Sequence, residues 1–225
     1  MERHGHASVI RLAGGPRAMD CRRRWEAAIR SIYLLSGENH FQGALIFLPG
    51  ITVNGYRVSC VRCDDYDPEK VNRALTGTLA HLSVSFKSGM KVLIKPNLMS
   101  PVMPERAITT HPVVLEELCK IIKAAGAEVL IGESAFYNTD RAFGLCGIEP
   151  LTRYARLINF EKEPKRFVSF GGKIGAVPLP EILFQVDSII NVAKMKTHGL
   201  TGVTLCAKNL YGCVPGAVKQ GYHKT

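Results

Sequence analysis

Ile189-Ile-Asn-Val-Ala-Lys-Met-Lys-Thr-His-Gly-Leu-Thr-Gly-Val-Thr-Leu-Cys-Ala-Lys-Asn-Leu-Tyr-Gly-Cys-Val-Pro-Gly216 decides the reading of the fold. The apolar run from Ser188 to Ala193 reads as a buried strand, and it empties into Lys194, Lys196, Thr197 and His198. A glycine-punctuated helix follows with Lys208 and Asn209, and a Gly-Cys-Val-Pro-Gly turn leads on to Lys219 and His223. Polar side chains gathered where a strand ends and a helix begins mark the ligand rim of an open α/β sheet.

The segments upstream repeat the pattern. Tyr56–Cys63 reads as a strand leading to Asp67-Pro68, a helix opening with proline in its first turn, and a helix reaches Ser83. Lys91–Lys95 is the next strand, followed by a loop rich in Pro and Met. Thr110 is placed to cap a helix over Pro112–Ala125, whose Val114, Leu115, Leu118, Ile121 and Ile122 recur at helical spacing. Gly126 ends that helix and Ala127–Ile131 is a third strand. Helical turns cover Asp140–Arg156. Arg166–Phe170 and Lys173–Val177 flank Gly171-Gly172 as a small β-hairpin insertion. Leu179–Gln185 reads as a helix. Strands that are apolar throughout, alternating with helices, specify an α/β fold with a mostly parallel sheet and helices on both faces.

With 225 residues, 46% of them hydrophobic, the chain can build the packed core of one ordinary domain. Its 29 Lys and Arg against 19 Asp and Glu leave a formal charge of +10, which suits anionic partners. That charge is dispersed and follows no nucleic-acid-binding pattern, so small anions are favoured over polyanions. Seven cysteines, an odd number scattered through helices and strands, are the usage of a reducing compartment, and a cytoplasmic location is expected. Cys60-Val-Arg-Cys63 lies in an expected strand, where positions i and i+3 face opposite ways, and it has no second pair. No metal is therefore expected. No Walker, GxGxxG, HExxH or GxSxG pattern occurs, which disfavours hydride transfer and nucleotide hydrolysis. No apolar run approaches the ~20 residues of a membrane span, so no membrane partner is expected.

Residues 1–54 differ from the rest. They hold seven Arg and no Lys, against 14 Lys and 8 Arg in the remainder. Arg22-Arg23-Arg24 is not a twin-arginine signal, because Glu26 and Arg30 interrupt the apolar stretch such a signal needs. Two readings stand: an atypical N-terminal extension with a short helix around Arg24–Leu35, or upstream read-through ahead of the true start. Residues 55–225 are the α/β domain.

On this fold Lys95 and Asn97 follow one strand, Glu133 and Ser134 the next, and Lys194, Lys196, Thr197 and His198 the last. All stand at carboxyl ends and are expected to line one cleft. Thr110 and His111 precede a helix whose N-terminal amides and dipole favour an anion. Lysines suit a phosphate or carboxylate, and a desolvated lysine is also a nucleophile. Lys95, Asn97, Thr110, Ser134, Lys194, Lys196, Thr197 and Asn209 are the expected ligand-binding residues; His198, His111 and Glu133 are the catalytic candidates.

Lys91-Val-Leu-Ile-Lys-Pro-Asn-Leu98, Thr109-Thr-His-Pro-Val-Val114, Ala124-Ala-Gly-Ala-Glu-Val129 with Gly132-Glu-Ser134, and Lys194-Met-Lys-Thr-His-Gly199 through Lys208-Asn-Leu-Tyr-Gly212 occur in this order. Together they resemble the domain-of-unknown-function family numbered three hundred and sixty-two, often labelled iron–sulfur cluster protein, over Tyr56 to Thr225. Many members of that family carry a ferredoxin-like module with cysteine-ligated [4Fe–4S] clusters. This sequence has no CxxCxxC run, so the cluster is not carried over, and the resemblance implies a ferredoxin-like partner or a missing module. Family members continue past the position of Thr225, which implies a fragment truncated at its C-terminus. A remoter similarity of fold and residue type is to the nickel-dependent lactate racemase group, where histidines transfer protons and a lysine tethers a pincer cofactor. It implies comparable roles for His111, His198 and Lys208.

Three functions follow. The first is an enzyme or ligand-binding domain for a small anionic metabolite, with lysines holding the anion and His198 or His111 moving a proton. The second is an iron–sulfur-associated redox accessory protein. The third is a polyanion or nucleic-acid binding module.

Overall fold

Lys91–Pro96 is buried from its second residue to its last, as a strand covered on both faces must be. The computed structural model, which describes residues 7–12, 48–53, 56–172, 174–198, 202–216 and 218–222, puts this strand in the middle of a five-stranded sheet. In chain order the elements are β1 (Ala7–Leu12), β2 (Leu48–Val53), β3 (Tyr56–Cys60), α1 (Pro68–His81), β4 (Lys91–Pro96), α2 (Pro112–Ala124), β5 (Glu128–Glu133) and α3 (Thr139–Leu145). They continue with β6 (Arg156–Asn159), β7 (Lys165–Ser169), β8 (Ala176–Pro180), β9 (Ser188–Lys194), β10 (Lys196–His198), β11 (Gly202–Thr204), α4 (Cys206–Leu210) and α5 (Val218–Tyr222).

The sheet order is β1-β9-β4-β5-β6. Strands β9, β4, β5 and β6 are parallel, and β1 joins β9 antiparallel. The chain winds from β4 outward through β5 to β6, then returns to lay β9 on the other side of β4. This reversal makes a switch point between β4 and β9, where sheets of this kind open a crevice beyond their carboxyl ends.

Local chemistry places the helices. Asp67 caps α1 by accepting from the Lys70 amide at 3.0 Å, with Pro68 in the first turn. Gly126, at φ +78°, closes α2 and turns the chain into β5. Val71, Leu75 and Leu79 of α1 and Leu115, Leu118 and Ile122 of α2 pack over Val92, Ile94, Ile131 and Val192. On the opposite face Leu93, Leu130, Ile158 and Phe160 are covered by Val177 and Leu179 of β8, the 3-10 turn Glu181–Phe184, and Cys213 and Val214. Among the described residues no helix is long and apolar enough to cross a membrane.

Several elements differ from the sequence reading. Tyr56–Cys60 pairs with Leu48–Val53 in a hairpin of its own rather than joining the main sheet. Strands β1 and β2 precede Tyr56, where the sequence reading placed none. β6 forms just after the expected helical turns; with one buried residue in four it has no apolar run to announce it, and pairing with β5 makes it a strand. Leu179–Gln185 is not a helix, because Leu179 and Pro180 complete β8 before a single 3-10 turn. Thr110 is not the cap of α2; His111 is, its Nδ1 accepting from the Val113 amide. The expected hairpin insertion is β7–β8, turning through Gly171, Gly172 and Gly175 at positive φ. The helix expected around Arg24–Leu35, Lys173 and His223 lie outside the described residues.

Two glycines separate packing from propensity. A Cβ on Gly132 would lie 2.3 Å from the Phe160 ring and 2.9 Å from Leu93, whereas one on Gly77 in α1 meets nothing within 4 Å. Gly132→Ala is expected to destabilise the fold by about 1–3 kcal/mol through overpacking. Gly77→Ala is expected to stabilise it by about 0.5–1 kcal/mol. Urea denaturation of the two variants beside the parent checks both signs.

Candidate functional site

At the ends of β4 and β5 two opposite charges are buried together. Lys95 has no exposed surface, and its ammonium donates to Glu133 Oε2 at 2.6 Å, the Pro96 carbonyl at 2.9 Å and Asn209 Oδ1 at 3.4 Å. Three acceptors use its three N–H bonds. Glu133 also accepts from the Leu98 amide at 3.4 Å and, on Oε1, from the Ser134 amide at 2.8 Å. Asn209, brought in by α4, donates to Asn191 Oδ1 at 2.6 Å and the Pro96 carbonyl at 3.2 Å, while Asn191 Nδ2 donates to the Cys206 carbonyl at 2.8 Å. Gly212 closes the web: a Cβ there would stand 2.2 Å from Glu133 Oε1 and 2.7 Å from Lys95 Nζ. Ser134 extends it, its hydroxyl accepting from Lys219 Nζ at 3.0 Å and the Gly216 amide at 3.2 Å. Burial holds the Lys219 ammonium below its usual pKa, with Glu133 opposing.

A second group gathers at the switch point itself. Lys194, the last residue of β9, is buried; its ammonium donates to Tyr66 Oη at 2.9 Å. The Tyr66 ring stacks on His111 with centroids 3.7 Å apart and planes 6° from parallel. His111 accepts from the Val113 amide through Nδ1 at 3.3 Å, which assigns the proton of the neutral ring to Nε2. Burial, and then the Lys194 charge, hold the imidazole below its usual pKa, with Glu105 opposing. Lys196, half-buried, donates to the Ile108 carbonyl at 2.6 Å. Burial pushes its pKa down to about 8, helped by Lys194 and opposed by Glu133. Among the described residues neither Lys194 nor Lys196 has a carboxylate within ion-pair distance.

Unused polar atoms lie in the same neighbourhood. Asn97 Oδ1 and Thr204 Oγ1 are buried with no hydrogen-bond partner among the described residues. Thr204 stands directly opposite Lys196 in the β10–β11 ladder, so the two side chains project to the same face. Thr110 stitches this region together: its hydroxyl accepts from the Asn97 amide at 2.8 Å and donates to the Val192 carbonyl at 2.7 Å.

The sequence-predicted residues thus divide. Lys95, Glu133, Ser134 and Asn209 form the inner web and spend their polar atoms on one another. Asn97, Thr110, His111, Lys194 and Lys196 meet at the switch point. Thr197, exposed, and His198, half-buried, lie on β10. Lys208, half-buried on α4, sits 4.8 Å from the Tyr211 ring centroid, and burial lowers its pKa. The first amides of α2 are already taken, Val113 by His111 Nδ1 and Val114 by the His111 carbonyl at 3.1 Å. Tyr66 and Thr204 carried no signal in the sequence. Asn191 did, as a polar residue inside the apolar strand Ser188–Lys194.

Among the described residues no three His, Cys, Asp or Glu side chains are placed to hold a metal ion. Burial pushes the Cys119 and Cys213 thiols up to about 12 and Cys206 up to about 11. The described residues do not fit a cysteine-ligated cluster.

The inner web makes a stability prediction. Glu133→Ala strands the Lys95 ammonium in the interior, at an expected cost of about 3–5 kcal/mol. Pairing Glu133→Leu with Lys95→Met removes both charges and is expected to recover most of that loss. Chemical denaturation of the single and double variants checks the difference.

Residues 92–225, from the second residue of β4 onward, match the family described as Domain of unknown function (DUF362). A thylakoid-associated protein of Synechocystis sp. is 28% identical over 170 residues, 74% of this chain and 53% of that protein. The chain therefore spans about half the length of the curated relative it matches. The matched span holds every residue of the inner web and all of the switch-point group except Tyr66, and on that match the chain belongs to the DUF362 family.

Proposed function

We propose that this chain binds a small anionic metabolite at the switch point between β4 and β9. The observation that carries the reading is that Lys194, through Tyr66 stacked on His111, and Lys196, through the Ile108 carbonyl, gather beside the segment that opens α2, with no carboxylate bonded to either among the described residues. Lys95 shows the alternative: a structural lysine in this interior is neutralised by a carboxylate at 2.6 Å. Two cations held close with no carboxylate bonded to either repel each other, and an incoming anion relieves the repulsion. The positive end of the α2 dipole acts in the same direction. Asn97 Oδ1, buried and unbonded, favours a ligand that also carries a hydroxyl or amine. Beneath the site, the inner web holds the ends of β4, β5 and β9 in one rigid frame, which fixes the spacing of the lysines. His111, held neutral by its surroundings, is the group suited to move a proton at the bound ligand.

Titration calorimetry and thermal shift with phosphate and with mono- and dicarboxylates test the reading. At least one of these anions is expected to stabilise the parent. Lys194→Ala and Lys196→Ala are each expected to weaken binding about 10–100-fold, the worth of one charge-assisted hydrogen bond. Affinity should fall as pH rises through about 8, because Lys196 then loses its charge. A weak dependence on salt is expected, as for a ligand of one or two charges. No stabilisation by any anion, or equal stabilisation of the lysine variants, overturns the reading.

A further inference from the structure

We infer that Lys196 is an imine-forming nucleophile, and that the anion held at this site is a carboxylic acid bearing a ketone or aldehyde beside the acid group. The inference rests on the anion reading above and adds the substrate class and a covalent step. The lysines gathered at the strand ends differ in what they are bonded to. Lys95 is clamped by a carboxylate, which keeps the proton on its nitrogen. Lys219 donates to the Ser134 carbonyl and hydroxyl deep in the web, and Lys208 lies against the Tyr211 ring. Lys194 is anchored on the Tyr66 hydroxyl.

Lys196 shares a backbone-carbonyl partner with Lys219, but it lies half-buried at the switch point, opposite the Thr204 hydroxyl, rather than deep in the web. Its described bond is to a backbone carbonyl, a partner that a neutral amine keeps as readily as an ammonium does. It sits half-buried beside a second cation, the surroundings that make a lysine amine available for attack on a carbonyl carbon. With its pKa near 8 a useful share of the amine is free close to neutral pH. The two lysines then have separate tasks. Lys194 holds the carboxylate, and Lys196 meets the adjacent carbonyl.

The step balances without any further reactant. The Lys196 nitrogen bonds to the carbonyl carbon, and the carbonyl oxygen becomes the hydroxyl of a carbinolamine. That oxygen then leaves as water, carrying the two hydrogens the amine gives up, and a C=N bond remains. No oxidant or reductant is consumed. Thr204 Oγ1, buried, unbonded among the described residues and on the same face as Lys196, is positioned to hydrogen-bond the carbinolamine hydroxyl. The protonated imine takes up an electron pair from the carbon on the side away from the acid group, leaving an enamine, which suits loss of a proton from that carbon or of a second carboxylate borne there as carbon dioxide.

The full chain is incubated with pyruvate, 2-oxoglutarate or oxaloacetate and then reduced with sodium cyanoborohydride. Intact mass and peptide mapping locate the adduct. The expected result is one reduced adduct per chain, at Lys196, formed at least about tenfold faster than at any other lysine. It should be lost in Lys196→Arg, which keeps the charge and is checked for folding by its thermal transition, and slowed in Lys194→Met. Malonate and succinate, acids with no ketone or aldehyde, are titrated against the parent in parallel. Stabilisation by these diacids with no adduct, or with adducts spread over surface lysines, overturns the imine inference and leaves the anion reading standing. No stabilisation and no adduct overturns both.

Discussion

Placing an ammonium and a carboxylate side by side in a protein interior costs several kcal/mol per ion unless every remaining polar atom is bonded. Lys95 and Glu133 meet that condition through the Pro96 carbonyl, Asn209, and the Leu98 and Ser134 amides. Satisfying it draws in the ends of β4 and β5 directly, β9 through Asn191, and the segment Cys206–Cys213 through Asn209 and Gly212. The demand is unforgiving at Gly212, where even a methyl group would overlap the pair. A single electrostatic constraint therefore sets how closely the region after β9 docks on the strand ends.

That docking has a consequence one layer further out. With the inner charges bonded to each other, Lys194 and Lys196 have no carboxylate at ion-pair distance among the described residues. Lys194 and Lys196 both point to the short stretch between β4 and α2, one through Tyr66 and its stacking partner His111, the other through the Ile108 carbonyl. Burial, and the charge of Lys194 beside it, hold the Lys196 ammonium below its usual pKa, with Glu133 opposing. The site is a place where charge is stored under constraint rather than a surface that happens to be basic.

Much of this was legible in the chain, and the illegible parts have a common cause. Asp67-Pro68, the apolar runs of β4, β5 and β9, and Gly126 announce themselves because caps, burial patterns and positive-φ glycines are local properties. β1 and β6 were not legible, because each is a strand only by virtue of the edge it pairs with. Thr110 reads as a helix cap, yet its hydroxyl is taken by the Asn97 amide and the Val192 carbonyl, partners that a local reading cannot weigh. Tyr66 precedes α1 with no mark of its role, since its stacking on His111 depends on how α1 and α2 pack.

The sequence alone determined that this is an α/β domain, that its polar residues fall at strand ends, and that lysine and histidine dominate there. Each of these follows from the order of residues along one element and its immediate flanks. Only the tertiary structure decided which lysine is bonded to a carboxylate. Lys95 and Glu133 are 38 residues apart, and Lys95 and Asn209 are 114 apart; they meet because β4 lies between β5 and β9 in the sheet. Strand order assigns the partners, and the partners make Lys95 and Glu133 a buried ion pair.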